Sequence, residues 1–402
     1  MRKKVLIYNV ADFTSSSTTR HYMQVCDEIG VDYKVILNRE SDDIKADYYV
    51  PVLWYKRKKS VELMSEIVIR ENPDYILGLE EPVLPIIAEI NEKFGLPGYT
   101  TRITNVTCSK DEWAKFCRRV GIDIPDHKIV TSMRDLEVDY DFIIKPDWGN
   151  GGTHVIKSTT AVIDERIFDY DQDFLGSLLC QKLLFEDLSI VEVGNTPGTR
   201  WQICSDFFCN DKEVYFSGDL LRLVNEDGTS IRIISGETEH TKKYFDIGKK
   251  YIRKAIRALK ATNIQGCSEM IVENGKIYYT DPNFRSTPYS HLMMLKENGI
   301  DRAKEAMKSF LDPNYIPKLK RNDRYVSMTA IKNSYKWSGL SNETTKILAP
   351  NIKLVDNNDG KWDYGLLTTL QPKLLITSSS SLKDSDRLLD SYMKTLEYDV
   401  LR

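Results

Sequence analysis

Long apolar runs are absent from this chain. Nowhere does it approach the roughly 18 to 20 consecutive apolar residues that a membrane-crossing helix needs, which argues against an integral membrane protein. A surplus of one charge is also missing: 56 Lys and Arg stand against 59 Asp and Glu, a net charge of −3. Nucleic-acid and membrane-surface proteins need a basic excess or patch, so neither partner is expected. The seven cysteines include no CxxC pair and no Cys/His cluster at zinc spacing. The nearest two, Cys204 and Cys209, fall on one strand-like segment, so the thiols read as reduced and buried, in a cytoplasmic protein. The opening MRKKVLIYNVADF turns acidic after a short apolar run and makes a poor signal peptide. No internal repeat occurs, and no Ser/His/Asp or Cys/His constellation suggests a covalent nucleophile.

What is present is an ordinary globular composition, 41% hydrophobic and 29% charged, over 402 residues. That length suits two or three domains of about 150 residues each. The first hundred residues alternate strands (VLIYNV, YKVIL, YYVPV, YILGL) with helical patterns (residues 18–29, 60–70 and 83–94), which implies a parallel sheet covered by helices. The turn after the first strand, ADFTSSSTTR, lacks the GxGxxG of a dinucleotide site, so this part is Rossmann-like without that fingerprint. SKDEWAKFCRRVG follows as a well-signed helix, with Ser109 and Glu112 as a capping box and Gly121 as its stop. Further strands read at HKIVT, DFIIKP, THVIKS and LLCQKLLF. An antiparallel set spans 201–234, an amphipathic helix starts at DIGKKYIRKAIRALKAT, and a tail runs from 313 to a helix at DRLLDSYMKTLEY.

Two stretches carry candidate chemistry. In IIKPDWGNGGTHVIKS, Gly149, Gly151 and Gly152 would let backbone N–H groups approach an anion, and Lys145 stands just before them. It is not a Walker loop, and glycines kept only for hairpin geometry explain such a turn equally well. Lys110, in the first turn of its helix, is either a solvated lysine or a partner of Lys145 around the same phosphates. The second stretch is SEMIVENGKIYYTDPNFRS, a hairpin whose Glu269, Asp281 and Asn283 offer the oxygen ligands Mg²⁺ prefers. Asp281, Asn283 and Arg285 share a face while the chain stays extended. A two-residue Asn274-Gly275 loop pairs position 269 with 280 and turns Glu269 away from Asp281. A three-residue loop with Gly275 as a left-handed bulge puts both on one face. A metal site therefore requires the bulged turn; the alternative is a row of solvent-facing polar residues at a sheet edge.

Taken in order, these elements resemble the ATP-grasp superfamily over about residues 105–310: Lys110 on a helix ending in GIDIP, Lys145 with its glycine loop, the Gln181-Lys182-Leu183-Leu184 strand, and GCSE…DPNFR. The nearest branch is the carboxylate–amine, or amino-acid and dipeptide, ligases. The resemblance implies an α/β and α+β architecture in four parts. These are a Rossmann-like pre-ATP-grasp domain (1–104), an N-terminal lobe with the glycine loop (105–180), a C-terminal lobe with the metal site (181–312) and a small C-terminal lobe (313–402). It implies ATP and two Mg²⁺ ions, replaceable by Mn²⁺, held by Glu269, Asp281 and Asn283. Lys110 and Lys145 would bind phosphates under Gly149 to Thr153, Gln181 to Leu184 would read adenine, and Glu192, in competition with Glu186 and Asp187, would bind ribose. Arg285 would neutralise an acyl phosphate. Apart from the resemblance, Arg222, more than Arg200, is a candidate to grip the substrate carboxylate, and each is equally readable as a surface ion-pair member. Two positions depart from the usual pattern: Gln181 replaces an acid, and Asp281 replaces Glu. His154 reads as structural, His291 is either a capping or core residue or a contact to substrate, and Trp148 covers the loop tip or packs on the neighbouring lobe.

The function so implied joins a small carboxylate to an amine through an acyl phosphate, releasing ADP and phosphate, in a monomer or homodimer. A carboxylase, a phosphotransferase and a non-catalytic nucleotide-binding regulator are the alternatives. The absence of a methionine-flanked biotin lysine weighs against the first, and Arg285 beside the metal residues weighs against the last.

Overall fold

The opening alternation of strands and helices forms as its periodicity requires. The computed structural model describes residues 2–11, 15–42, 44–52, 57–148, 155–158, 163, 165–168, 176–184, 200–224, 230–235, 239–285, 300–319, 325–331, 352–356 and 373–379. β1 (Lys4–Asn9), α1 (Ser15–Ile29), β2 (Asp32–Leu37), β3 (Tyr48–Tyr49), α2 (Arg57–Glu71), β4 (Tyr75–Gly78) and α3 (Leu84–Phe94) build a parallel sheet of order β3-β2-β1-β4. β1 and β4 are apolar nearly throughout because both faces are covered, the usual state of parallel strands.

α4 (Thr101–Thr107) and α5 (Lys110–Val120) lead out of this sheet. Ser109 caps α5 by accepting from the Glu112 backbone N–H, 3.1 Å, and Gly121 ends the helix as expected. The Glu112 carboxylate bonds Lys115 at 2.8 Å. Trp113 on α5 is buried, with its ring 4.9 Å from Tyr279 and 6.0 Å from Phe284, both edge-on. Truncating a Trp in such a setting costs about 3–5 kcal/mol, so α5 is firmly seated on the hairpin that follows much later.

β5 (His127–Val130), β6 (Phe142–Pro146), β7 (Ile156–Lys157) and β8 (Leu178–Lys182) form a small antiparallel sheet of order β5-β8-β6-β7 with its own apolar cluster around Ile144 and Cys180. β9 (Arg200–Cys209), β10 (Val214–Val224), β11 (Ser230–Ser235), α6 (Glu239–Leu259), β12 (Ile264–Glu273), β13 (Lys276–Asp281), α7 (Arg302–Leu311), β14 (Tyr325–Ile331), β15 (Ile352–Asp356) and β16 (Lys373–Ser379) complete the order. Their strands make one eight-stranded sheet, β13-β12-β9-β10-β11-β14-β16-β15, so the tail strands extend the sheet that carries the hairpin. α7 joins the N-terminal sheet to this one: Ala306, Met307 and Phe310 share a cluster with Val5, Tyr75 and Phe208. All seven cysteines are free; six are buried and Cys108 is half-buried, as expected of reduced thiols. Among the described residues no helix is long and apolar enough to cross a membrane.

The hairpin departs from its expected geometry in an informative way. Glu273 pairs with Lys276, so the turn is the two-residue Asn274-Gly275 form and not the bulged one. Both turn residues have positive φ, 52° and 74°, which Asn and Gly tolerate and which matches the twist of the strands. The register shifts further up, between Glu269 and Met270: Met270 pairs with Tyr279, but Glu269 pairs with Asp281. Thr280 is the extra residue, and its hydroxyl donates to the Glu269 carbonyl at 2.9 Å. The two carboxylates thus share a face, by a bulge at the opposite end of the hairpin from the expected one.

Candidate functional site

The site is built on that bulge. Glu269 stands on β12 opposite Asp281 on β13, and each carboxylate has a cation beside it. Arg222, from β10 two strands away, donates Nη1 to Glu269 Oε1 at 2.8 Å, and both side chains are about 15% exposed. Arg222 therefore pairs with Glu269 and is not a solvated surface partner. Lys145 Nζ lies 3.7 Å from Asp281 Oδ2, which brings β6 of the small sheet against β13 of the large one. Burial pushes the Lys145 ammonium below its ordinary pKa; Asp281 and Glu269 oppose that shift and Lys110 adds to it.

Lys110, Lys145 and Gln181 line one narrow cleft together with His127, Tyr279 and Thr280. Gln181 is buried on β8, paired with His127 and Ile143 on its two sides. The segment from Gln181 to Leu184 is already committed in part: Lys182 N–H donates to Asp126 O at 2.7 Å and Leu183 N–H to Asp141 O at 2.8 Å. Lys182 Nζ sits 3.5 Å from Glu273, a second tie between the small sheet and the hairpin, and Leu184 is buried. A wider hollow of about 410 Å³ lies elsewhere, between the β9–β10 turn and the end of α6, away from these residues.

Beyond Asp281 the strand does not stay extended. Asn283 has φ 21° and its carbonyl accepts from both Cys267 N–H and Arg285 N–H, each at 2.8 Å. The expected alternation of Asp281, Asn283 and Arg285 along one extended face is therefore corrected: Pro282 contributes no ladder donor and the chain turns at Asn283. Arg285 meets the N-terminal sheet instead, with Nε 3.5 Å from Glu80 Oε2 and both side chains nearly buried. Burial opposes its charge, but Glu80, Glu81 and Glu269 hold it protonated. Gly149, Gly151, Gly152, Thr153, His154, Glu192 and His291 lie outside the described residues, as do Glu186 and Asp187.

Sequence reasoning missed two acids here. Glu80 and Glu81 follow directly on β4, at the carboxyl end of a parallel strand, where open α/β sheets place their ligand-binding groups. That position was the available signal. Burial raises the Glu81 pKa; Arg285 and Lys110 counter this, while Asp281 and Glu269 reinforce it, so Glu81 belongs electrostatically to the same group.

No protein-family model matches the chain. The carbamoyl phosphate synthase large chain of Pseudothermotoga lettingae is 23% identical over 296 residues, 69% of this chain and 25% of that one. The chain thus spans about a quarter of the length of the curated relative it matches. The crystal structure of L-amino acid ligase from Bacillus licheniformis superposes with a TM-score of 0.73 at 14% identity, over 99% of this chain and 98% of that one. The biotin carboxylase domain dimer of the Hydrogenobacter thermophilus 2-oxoglutarate carboxylase, in complex with MgADP, ADP and bicarbonate, gives 0.67 at 16% identity over 100% and 91%. These neighbours are ATP-grasp proteins. The chain has the ATP-grasp fold. The narrow cleft lies between the small sheet with β5–β8 and the hairpin of the large sheet.

Proposed function

We propose that the chain is an ATP-dependent ligase that joins a small carboxylate, an amino acid in the first instance, to an amine through an acyl phosphate, releasing ADP and phosphate. The observation that carries this reading is the pairing of Glu269 with Asp281, each with its own cation, beside the cleft of Lys110, Lys145 and Gln181. Similarity to an L-amino acid ligase and to an MgADP-bound carboxylase domain supports it.

The donor set fits magnesium. Two carboxylates on one face, with Asn283 nearby, are hard oxygen ligands, and among the described residues no three His, Cys, Asp or Glu side chains converge into a complete cage. Mg²⁺ is commonly held in this partial way, by one or two carboxylates plus substrate phosphates and water. Bound there, the metal would offset the charge of the phosphates during transfer. The chain's own groups would do the rest. Lys110 and Lys145 bind the phosphates, Gln181 accepts from the adenine amino group, and Arg285, steadied by Glu80, neutralises the acyl phosphate. Arg222, beside Glu269, would be the cation placed to grip the substrate carboxylate. Glu81 offers an incoming ammonium a carboxylate to meet. Because the work is positioning and charge stabilisation, no protein nucleophile is required.

The test is ADP release across a panel of amino acids, small acids and bicarbonate, alone and in pairs. Release that requires a carboxylate and an amine together supports the ligase. Nucleotide binding with no release for any pair overturns it in favour of a regulator, and release with bicarbonate alone overturns it in favour of a carboxylase.

A further inference from the structure

Asp147 has no role in the readings above, yet its carboxylate is heavily engaged beside the cleft. It follows Lys145 by two residues, at the end of β6 and the root of the glycine loop. Ser109 Oγ lies 2.9 Å from both of its carboxylate oxygens, and Asp111 N–H donates to Oδ1 at 2.9 Å. The Asp147 carbonyl receives Lys110 twice, from its backbone N–H and from its ammonium, both at 3.3 Å. Its own N–H donates to Ser177 O at 2.7 Å, at the entry to β8.

The first turn of α5 therefore has its orphan N–H groups met largely by one residue of another element. A carboxylate is also the favoured charge at a helix N-terminus. Burial works against the ionised Asp147 carboxylate, and the Asp111 N–H, the Ser109 hydroxyl and Lys110 counter it. The approach is close enough to restrict its neighbour. A Cβ on Gly176, which has φ 73°, would stand 3.2 Å from the Asp147 Cβ. A residue with so many fixed contacts locks α5, β6 and β8 at one point.

We propose that Asp147 is a positioning residue that sets the Lys110 ammonium at a fixed place relative to Lys145, so that the two lysines receive one nucleotide as a preformed pair. The inference rests on the ATP-dependent reading of the cleft. Without the carboxylate anchor, the α5 N-terminus and the Lys110 stem are free to drift from β6, and the preorganisation is lost. Asp147 touches no substrate in this account; it acts through Lys110.

The experiment is steady-state ADP release and equilibrium ATP binding for D147A, D147N, S109A, K110M and K110M/D147A, with thermal midpoints measured alongside. Losing charge-assisted hydrogen bonds to the clamp should raise the KM for ATP about tenfold in D147A, with kcat changed much less. D147N keeps an acceptor for Ser109 and Asp111 and should recover most of the loss; S109A should show a smaller rise in a variant that folds if D147A does not. The decisive readout is the cycle: K110M/D147A should bind ATP no worse than K110M alone, because Asp147 has nothing left to position. An ATP KM for D147A within twofold of the parent, or additive losses in the double variant, would overturn the proposal and leave Asp147 a structural cap. If the parent chain neither binds nor turns over ATP, the ligase reading itself fails and the clamp with it, a result visible before any variant is made.

Discussion

Arg302 offers a sharp test of what seats α7 on the large sheet. It opens α7 with 1% of its side chain exposed, and Nη1 lies 3.4 Å from Oδ2 of Asp206, which is 0% exposed on β9. Its Nη2 also donates to Phe207 O at 3.0 Å and Gly266 O at 3.1 Å, tying the helix to two adjacent strands, β9 and β12. Arg302→Met keeps much of the stem volume but removes the guanidinium that Asp206 faces in the sheet. Breaking a buried pair on one side typically costs about 3–5 kcal/mol. At about 2–4 °C per kcal/mol for a unit of 150–250 residues, the thermal midpoint followed by near-ultraviolet circular dichroism should fall by roughly 6–20 °C. Asp206→Asn in the same chain removes the other half of the pair, so the double variant should regain a large part of the loss. A fall of under about 2 °C for Arg302→Met, or a double variant no more stable than the single one, would refute the reasoning. It would mean that the apolar cluster of Ala306, Met307 and Phe310 holds α7 without the pair.

Other outcomes follow from the hairpin and its neighbours. E269Q and D281N should each abolish ADP formation with an unchanged circular dichroism spectrum, and near-normal turnover in either would remove the metal assignment. T280V deletes the hydroxyl that holds the bulge on the Glu269 carbonyl; it should cost about 1 kcal/mol and raise the Mg²⁺ concentration needed for half-maximal ADP formation. G275A should lose about 1–2 kcal/mol in a thermal melt from backbone strain alone, since φ is 74° and a Cβ there meets nothing within 4 Å. Its metal requirement should not change, because the register is set at Thr280. Burial raises the Asp123 pKa, but hydrogen bonds from Lys276 and Tyr251 outweigh it and leave the carboxyl below its ordinary value. The stability so gained is present above the unfolded pKa of about 3.9 and lost as pH falls through the lower folded value. D123N should therefore have a lower thermal midpoint than the parent near neutrality, and the difference should shrink as the solution is acidified below about pH 4.

The sequence by itself determined what depends on local periodicity. Each strand and helix of the βα alternation up to α3, the capped helix with Lys110, the basic amphipathic α6 and the hairpin is written in a short run of consecutive residues, the range over which period 2 and period 3.6 can be read. It also singled out Lys110, Lys145, Gln181, Glu269 and Asp281 as candidates, in the order the ATP-grasp resemblance implies. Tertiary structure alone decided which groups meet. Asn274-Gly275 is compatible with two turn lengths, and local sequence does not choose between them. The choice lies with the bulge, where Thr280 bonds the Glu269 carbonyl while Glu269 is held against Cys204 of β9, a strand some 60 residues away. Arg222 meeting Glu269, Glu80 meeting Arg285 and Asp147 receiving α5 join side chains distant along the chain. Such contacts follow from sheet order and helix docking, which no local pattern encodes.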